Sequence, residues 1–232
     1  MLLRELTEAR VTPDVEFMDQ VEQILDLSIE EYGEYLDDNN DVDDIFELEE
    51  ILNSNNDNDL PIEFIASDQE RQDPNEWISA MAGIDKGGPF MEVYLFAKNL
   101  EGRYGPKTFK QIVMRMLAHE TIHWNQYKKV GLDRVDKIKS GHQKGQEKMA
   151  KTGDPMDWMR DYLADPHELM AYASDLASEI KDLDNPEQVL RNPEAHKADL
   201  PSYQRYRQVF EPNSKEMRQL LKYTADYYSN SM

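Results

Sequence analysis

Two histidines and a glutamate within five residues are the part of this chain best suited to chemistry. His119-Glu120-Thr121-Ile122-His123 follows the pattern H-E-x-x-H. On an α-helix, residues four positions apart lie on one face, so both imidazoles can reach a single metal ion. Glu120 lies roughly 100° from His119 around such a helix, where its carboxylate reaches a water on the ion rather than the ion itself. The pattern predicts a metal site with a general base beside it.

The sequence around this motif has the periodicity of an amphipathic helix. Apolar residues recur at steps of three and four positions ahead of it, at Phe109, Ile112, Val113, Met116 and Leu117. The helical context favours the metal site, because the motif has no such geometry in a loop or a strand. The alternative is a helix whose two histidines are packed or solvated without a metal.

A second helix is predicted to supply the third ligand. Asp165-Pro166 is typical of an N-cap followed by proline at the first helical position. Glu168, Tyr172 and Asp175 then follow at i, i+4 and i+7, on one face of that helix. A catalytic zinc ion has three protein ligands, and the absence of cysteine restricts them here to nitrogen and oxygen donors. Glu168 is the predicted third ligand, with Tyr172 or Asp175 near the same ion.

The two segments together resemble a known class of enzyme. The H-E-x-x-H motif at 119–123, followed by DPHELMAYA at 165–173, is similar to zincin metallopeptidases of the gluzincin type. The resemblance covers the two helices and implies a zincin-like fold. It departs from thermolysin-like members in the spacing of the third ligand, and Tyr172 stands where they carry an acidic residue. The metzincin extension is absent, since Gln126 and Lys129 replace its glycine and third histidine.

The resemblance also implies an activity and a set of site residues. It implies hydrolysis of a protein or peptide bond, with Zn²⁺ held by His119, His123 and Glu168. Glu120 would serve as the general base. Tyr172 is the candidate catalytic donor to the oxyanion, with Tyr162 and His167 as alternatives. The class of substrate expected is therefore a protein or a peptide.

The predicted fold class is α+β. Alternation or β-rich composition predicts strands at 62–66, 77–84 and 90–97, forming a small, mainly antiparallel sheet packed on the H-E-x-x-H helix. Thr12-Pro13 is typical of an N-cap and first helical position, and with the apolar stripe that follows it predicts a helix to about residue 35. A second helix is predicted over 42–52, and helices that cover the core are expected near the C-terminus. The predicted division is an acidic helical region, 1–59, which packs on the core or stands as an appendage, and a metallopeptidase domain, 60–232.

Charge is distributed unevenly along the chain. The formal net charge is -21, and no lysine or arginine occurs between Arg10 and Arg71. Such a surface should repel nucleic acid and anionic membranes, so neither is an expected partner. The acidic run is interpreted as a solvated face; the alternative function is a non-catalytic binding protein, either a degenerate zincin or an acidic DNA mimic. Basic residues concentrate over 128–151, with glycines at 141 and 145. This stretch is interpreted as a flexible surface loop; the alternative is a docking patch for an acidic partner, such as the acidic N-terminal region of the same chain.

The remaining composition bears on location. There is no cysteine, no long apolar run, and the first ten residues are too charged for a signal peptide. These features favour a cytoplasmic protein. The acidic, cysteine-free chain is similar in character to bacteriophage proteins, for which the location would be the host cytoplasm or the virion. The oligomeric state is not predicted.

Overall fold

The computed structural model describes residues 14–32, 42–56, 60–71, 78–85, 88–100, 106–130 and 141–230. Within these residues the protein is rich in α-helix and has one small three-stranded sheet, which confirms an α+β fold at this coarse level. No helix among the described residues is both long and apolar enough to cross a membrane. The elements in chain order are α1 (Val15–Tyr32), α2 (Val42–Ser54), β1 (Ile62–Ser67), β2 (Ile78–Asp85), β3 (Gly88–Phe96), α3 (Ala97–Leu100), α4 (Pro106–Val130), α5 (Gly141–Thr152), α6 (Pro155–Leu163), α7 (Pro166–Lys181), α8 (Pro186–Arg191), a 3₁₀ helix (Pro193–Asp199), α9 (Pro201–Arg207) and α10 (Lys215–Asn230).

The sheet is mixed, whereas a mainly antiparallel sheet was predicted. Its strand order is β1-β3-β2. β2 and β3 form the predicted antiparallel hairpin, with Asp85 opposite Gly88, whose φ of +122° favours glycine. β1 runs parallel to β3, with Ile62 opposite Met91. Alternating apolar residues identify a strand but not its neighbour, so the pattern could not show that β1 and β2 flank β3 on opposite sides.

The chain divides into two compact units, one of which spans Pro13–Lys128. α1, α2, the sheet and α4 share one apolar core in this unit, with Val21, Leu48, Val93 and Leu117 fully buried. Asn53 of α2 also exchanges side-chain hydrogen bonds with the backbone of Phe64 in β1, at 2.8 and 3.0 Å. The predicted division at residues 59 and 60 therefore falls inside a compact unit, because the apolar stripes of α1 and α2 are buried against the sheet and α4.

The other unit comprises Met1–Thr12 and Lys129–Met232. Its described core is built around α7, with Leu163, Leu176, Tyr206 and Leu220 fully buried. Ser202 donates its backbone and hydroxyl hydrogens to a carboxylate oxygen of Glu179, at 3.1 and 2.8 Å, which fixes the start of α9 against α7. The C-terminal helices thus pack on α7, and the predicted presence of helices in this part of the chain is confirmed.

Part of the basic stretch is helical, which corrects the prediction of a surface loop. Residues 141–152 form α5, which packs closely on α6. A Cβ atom at Gly145 would lie 2.7 Å from the carbonyl oxygen of Trp158, so this contact requires glycine. Gly145, one of the glycines that suggested a loop, instead allows α5 and α6 to approach each other closely. Some predicted element ends, a turn and a loop lie outside the described residues. They fall at residues 12–13, 33–35, 77, 86–87 and 131–140.

Candidate metal centre

The H-E-x-x-H motif lies on α4, so the predicted helix is confirmed. Phe109, Val113 and Leu117 on this helix are fully buried in the core shared with the sheet, which fixes the orientation of the helix. His119 is half-buried, and His123 is only 8% exposed. Their ring centroids lie 5.2 Å apart, with an angle of 68° between the ring planes. The two imidazoles are therefore neighbours on one face, as helical spacing requires.

Side chains of α1 contact α4 near its start and near the H-E-x-x-H motif. Near the start of α4, Lys110 forms ion pairs with Glu22, at 2.9 Å, and with Asp26. Near the motif, the ring of Trp124 meets the edge of Phe17, with centroids 4.4 Å apart. An edge-to-face aromatic pair stabilises a contact beyond the apolar area that it buries. These contacts support the rigidity of the helix that carries the motif.

His123 has a hydrogen-bonding partner on its own helix. Its Nδ1 lies 3.2 Å from Oε1 of Gln126, three residues further along α4, and Gln126 is fully buried. Since an amide oxygen only accepts hydrogen bonds, a hydrogen bond in this arrangement requires the imidazole proton on Nδ1 and leaves the lone pair on Nε2. In the sequence, Gln126 stands out only as a departure from the metzincin pattern, and this contact was not predicted. The i+3 spacing from His123 was the signal for this contact.

Glu120 is held by the sheet. Its Oε2 accepts a hydrogen bond of 2.8 Å from the backbone N–H of Ala82 in the edge strand β2. The opposite residue on β3, Met91, donates its N–H to Pro61, on the β1 side. Ala82 and Met91 are therefore a non-hydrogen-bonded pair, and the Ala82 N–H points away from β3. Glu120 uses a backbone donor that the sheet itself does not need.

Glu168 lies in the first turn of α7, in the unit that contains Lys129–Met232. Asp165 has extended backbone angles and accepts a hydrogen bond from the backbone N–H of His167 at 2.9 Å, so it caps the helix. Pro166 follows at the first helical position, and the predicted cap is confirmed. Leu169, which follows Glu168, is 2% exposed in the core of this unit. The cap and the buried Leu169 together fix the position of Glu168 on the helix.

Two tyrosines surround the Glu168 carboxylate. Burial, and then the charge and hydrogen bond of Glu168, raise the pKa of Tyr162 far above its ordinary value. Burial is the main cause that raises the pKa of Tyr172 to about 12, while Arg205, whose guanidinium lies 5.6 Å from the Tyr172 ring, opposes the rise. Tyr172 hydrogen-bonds to Tyr162 and packs edge-on against Tyr206. Tyr162 therefore contacts Glu168 directly, and Tyr172 is connected to it through Tyr162.

The three predicted ligands form one group. One ligand atom each from His119, His123 and Glu168 lie within 4.8 Å of one another, and these side chains could hold a metal ion. Glu120 is adjacent to His119 in the chain. The role of Tyr172 as an oxyanion donor stays a prediction. The donor set, two imidazoles and a carboxylate, is one that binds zinc in catalytic sites.

Comparison with known protein families, with curated proteins and with solved structures finds no match for this chain. Its function is therefore inferred from the types of the residues at this site, their spacing and their contacts. The grouping of His119, His123 and Glu168 is the observation that contributes most to that inference.

Proposed function

We propose that this protein is a zinc-dependent metallopeptidase that hydrolyses a bond in a protein or peptide substrate. The observation that carries the proposal is the group formed by His119, His123 and Glu168, whose ligand atoms lie within 4.8 Å of one another. A second observation is that Glu120, the residue expected to act as general base, follows directly after the first ligand. A merely structural metal would have no use for this carboxylate.

The donor set favours zinc over calcium and magnesium. Calcium and magnesium prefer oxygen ligands, whereas zinc binds imidazole nitrogen and carboxylate oxygen together. His119, His123 and Glu168 would hold the ion, since one ligand atom from each lies within 4.8 Å of the others. Three protein ligands leave one position for water, the arrangement of catalytic zinc sites.

The chemistry divides between the ion and the chain. Held by His119, His123 and Glu168, zinc would lower the pKa of a bound water to near neutrality and would also polarise the carbonyl of the bond to be cleaved. Glu120 would act as the general base for that water and as the proton donor to the leaving amine. The Ala82 N–H binds one carboxylate oxygen of Glu120, at 2.8 Å, and so limits rotation of the side chain. Glu120 therefore presents its other oxygen in a fixed direction, which lowers the entropic cost of proton transfer.

Neutral tyrosines are suitable donors for the oxyanion. A phenol must remain protonated to donate a hydrogen bond, and the pKa of Tyr172 is raised to about 12. The pKa of Tyr162 is also raised, so both hydroxyls keep their protons at neutral pH. The hydroxyl of Tyr162 is engaged by Glu168 and supports the ligand, and that of Tyr172 hydrogen-bonds to Tyr162. Tyr172 would donate to the oxyanion by turning its hydroxyl away from Tyr162 when substrate binds.

The experiment is cleavage of a protein substrate such as casein, and of a peptide library, by zinc-loaded protein and its Glu120→Gln variant. We expect the variant to bind zinc as the wild type does and to lose about 10²–10⁴-fold in activity, since general acid–base catalysis contributes that much. Glu63→Gln, the same substitution at an exposed position of β1, is the matched control and should retain full activity. Equal activity of the wild type and Glu120→Gln would refute the proposed mechanism. Zinc binding without cleavage of any substrate would favour a non-catalytic binding role.

A further inference from the structure

The side-chain amide of Gln126 is buried, and only part of it forms a hydrogen bond within the described residues. Its side chain is fully buried, and its Oε1 lies 3.2 Å from Nδ1 of His123. Its Nε2 is also buried and has no hydrogen-bond partner among the described residues. A buried amide nitrogen without a partner is unfavourable, since the group loses its water on folding and gains nothing in return. A glutamine at this position therefore weakens the core compared with an apolar residue of similar size.

A neighbouring buried polar residue shows the contrast. Thr121 is also fully buried on α4, but its hydroxyl donates to the carbonyl oxygen of Ala118 at 2.8 Å. Thr121 thus satisfies its hydroxyl within its own helix. Within the part of the chain that the structure describes, the side chain of Gln126 is paired at Oε1, with His123, and lacks a partner at Nε2. The hydrogen bond to His123 is therefore the feature of Gln126 that points to a role.

We propose that Gln126 is a positioning residue that fixes the tautomer of His123 for metal binding. Its carbonyl oxygen accepts the Nδ1 proton, so the lone pair resides on Nε2, the nitrogen that would face the ion. With the amide in the opposite orientation, Nδ1 would be the acceptor and Nε2 would carry the proton, which prevents ligation. This inference rests on the proposed zinc site, but the tautomer exists in the metal-free protein and is measured there.

The first test is the tautomer of His123, read from ¹H–¹⁵N correlations of the imidazole in metal-free protein. We expect the Nδ1–H form in the wild type. In Gln126→Leu, which keeps an apolar side chain of similar size, the Nε2–H form should gain population because that tautomer prevails in an unconstrained histidine. Gln126→Glu retains an acceptor and should restore the Nδ1–H form. An Nε2–H tautomer in the wild type, or no difference between wild type and Gln126→Leu, overturns the proposal.

The second test is zinc affinity, measured by competition with a chelator. Gln126→Leu should bind zinc about 10–100-fold more weakly, as is typical when the partner of a ligating histidine is removed, whereas Gln126→Glu should bind at least as tightly as wild type. The Tm of metal-free Gln126→Leu should equal or exceed that of the wild type, because an unpaired buried amide has been removed. A lower Tm with unchanged zinc affinity would mean that Gln126 only packs, and would overturn the proposal.

The outcomes separate this inference from the proposed function. If wild-type protein binds no zinc, the proposed function fails, while the tautomer measurement still decides the role of Gln126. If Gln126→Leu does not fold, Gln126→Met and Gln126→Glu provide the same comparison between a side chain without an acceptor and one with it. The proposal would be overturned if His123 kept the Nδ1–H tautomer in both Gln126→Met and Gln126→Glu. It would be supported if that tautomer lost population only in Gln126→Met.

Discussion

The two helices that carry the predicted ligands position them in different ways. α4 carries His119, Glu120 and His123 in one five-residue motif, and helical spacing alone brings the two imidazoles together. α7 contributes only Glu168, whose placement depends on where the helix begins and on Tyr162 from the preceding helix α6. The first arrangement is local and follows from the sequence, whereas the second requires tertiary structure. The two helices should therefore respond differently to mutation.

Removal of the backbone donor to Glu120 should lower activity without loss of zinc. Ala82→Pro deletes only the N–H that Glu120 accepts from, since this group points away from β3. A hydrogen bond to a charged acceptor is worth about 1.5–3 kcal/mol, so activity should fall roughly 10–150-fold with zinc content unchanged. Ala80→Pro, two residues earlier and facing the same way on the edge strand, is the control for the effect of proline itself. Equal losses in both variants would mean that the hydrogen bond to Glu120 is not needed.

The tyrosines beside Glu168 provide the next comparison. Tyr162→Phe removes the hydroxyl that contacts the carboxylate, and zinc affinity should fall about tenfold, as for other groups that orient ligands. Tyr172→Phe should lower zinc affinity less, because the hydroxyl of Tyr172 hydrogen-bonds to Tyr162, whereas that of Tyr162 hydrogen-bonds to Glu168 itself. If Tyr172 is the oxyanion donor, its variant should lose kcat instead, by about 10²-fold or more. Similar losses of zinc affinity in the two variants would contradict the separate roles.

Loss of a helix cap should have the smallest effect. Asp165→Ala removes the cap of α7, and Asp154→Ala removes the equivalent cap of α6, where the side chain accepts from the Met156 N–H at 2.9 Å. Each should lower the free energy of unfolding by about 1 kcal/mol, measured by urea denaturation. Only Asp165→Ala should also weaken zinc binding, since Glu168 lies in the turn that it caps. If Asp154→Ala weakened zinc binding as much as Asp165→Ala, general stability, and not the position of Glu168, would determine the affinity for zinc.

The same contrast explains how far the sequence could predict the structure. The helix around His119 and His123 and the cap at Asp165 depend on spacing and short-range chemistry, and both are confirmed. The parallel pairing of β1 with β3, and the contact of Glu120 with Ala82, join residues distant in the chain, so no local pattern indicates them. The glycine at 145 was ambiguous because a glycine serves a loop and a close helix contact equally well.

The most direct test of the central claim is the zinc content of metal-loaded protein after removal of unbound metal, measured by elemental mass spectrometry. The wild type and Glu120→Gln should each hold about one zinc per chain, and His123→Ala and Glu168→Ala should each lose it, since a catalytic site has three protein ligands. Zinc retained by Glu168→Ala but lost from His123→Ala would show that α7 does not supply the third ligand. An absence of zinc in the wild type, even after zinc is offered, would contradict the account of this protein as a zinc metallopeptidase.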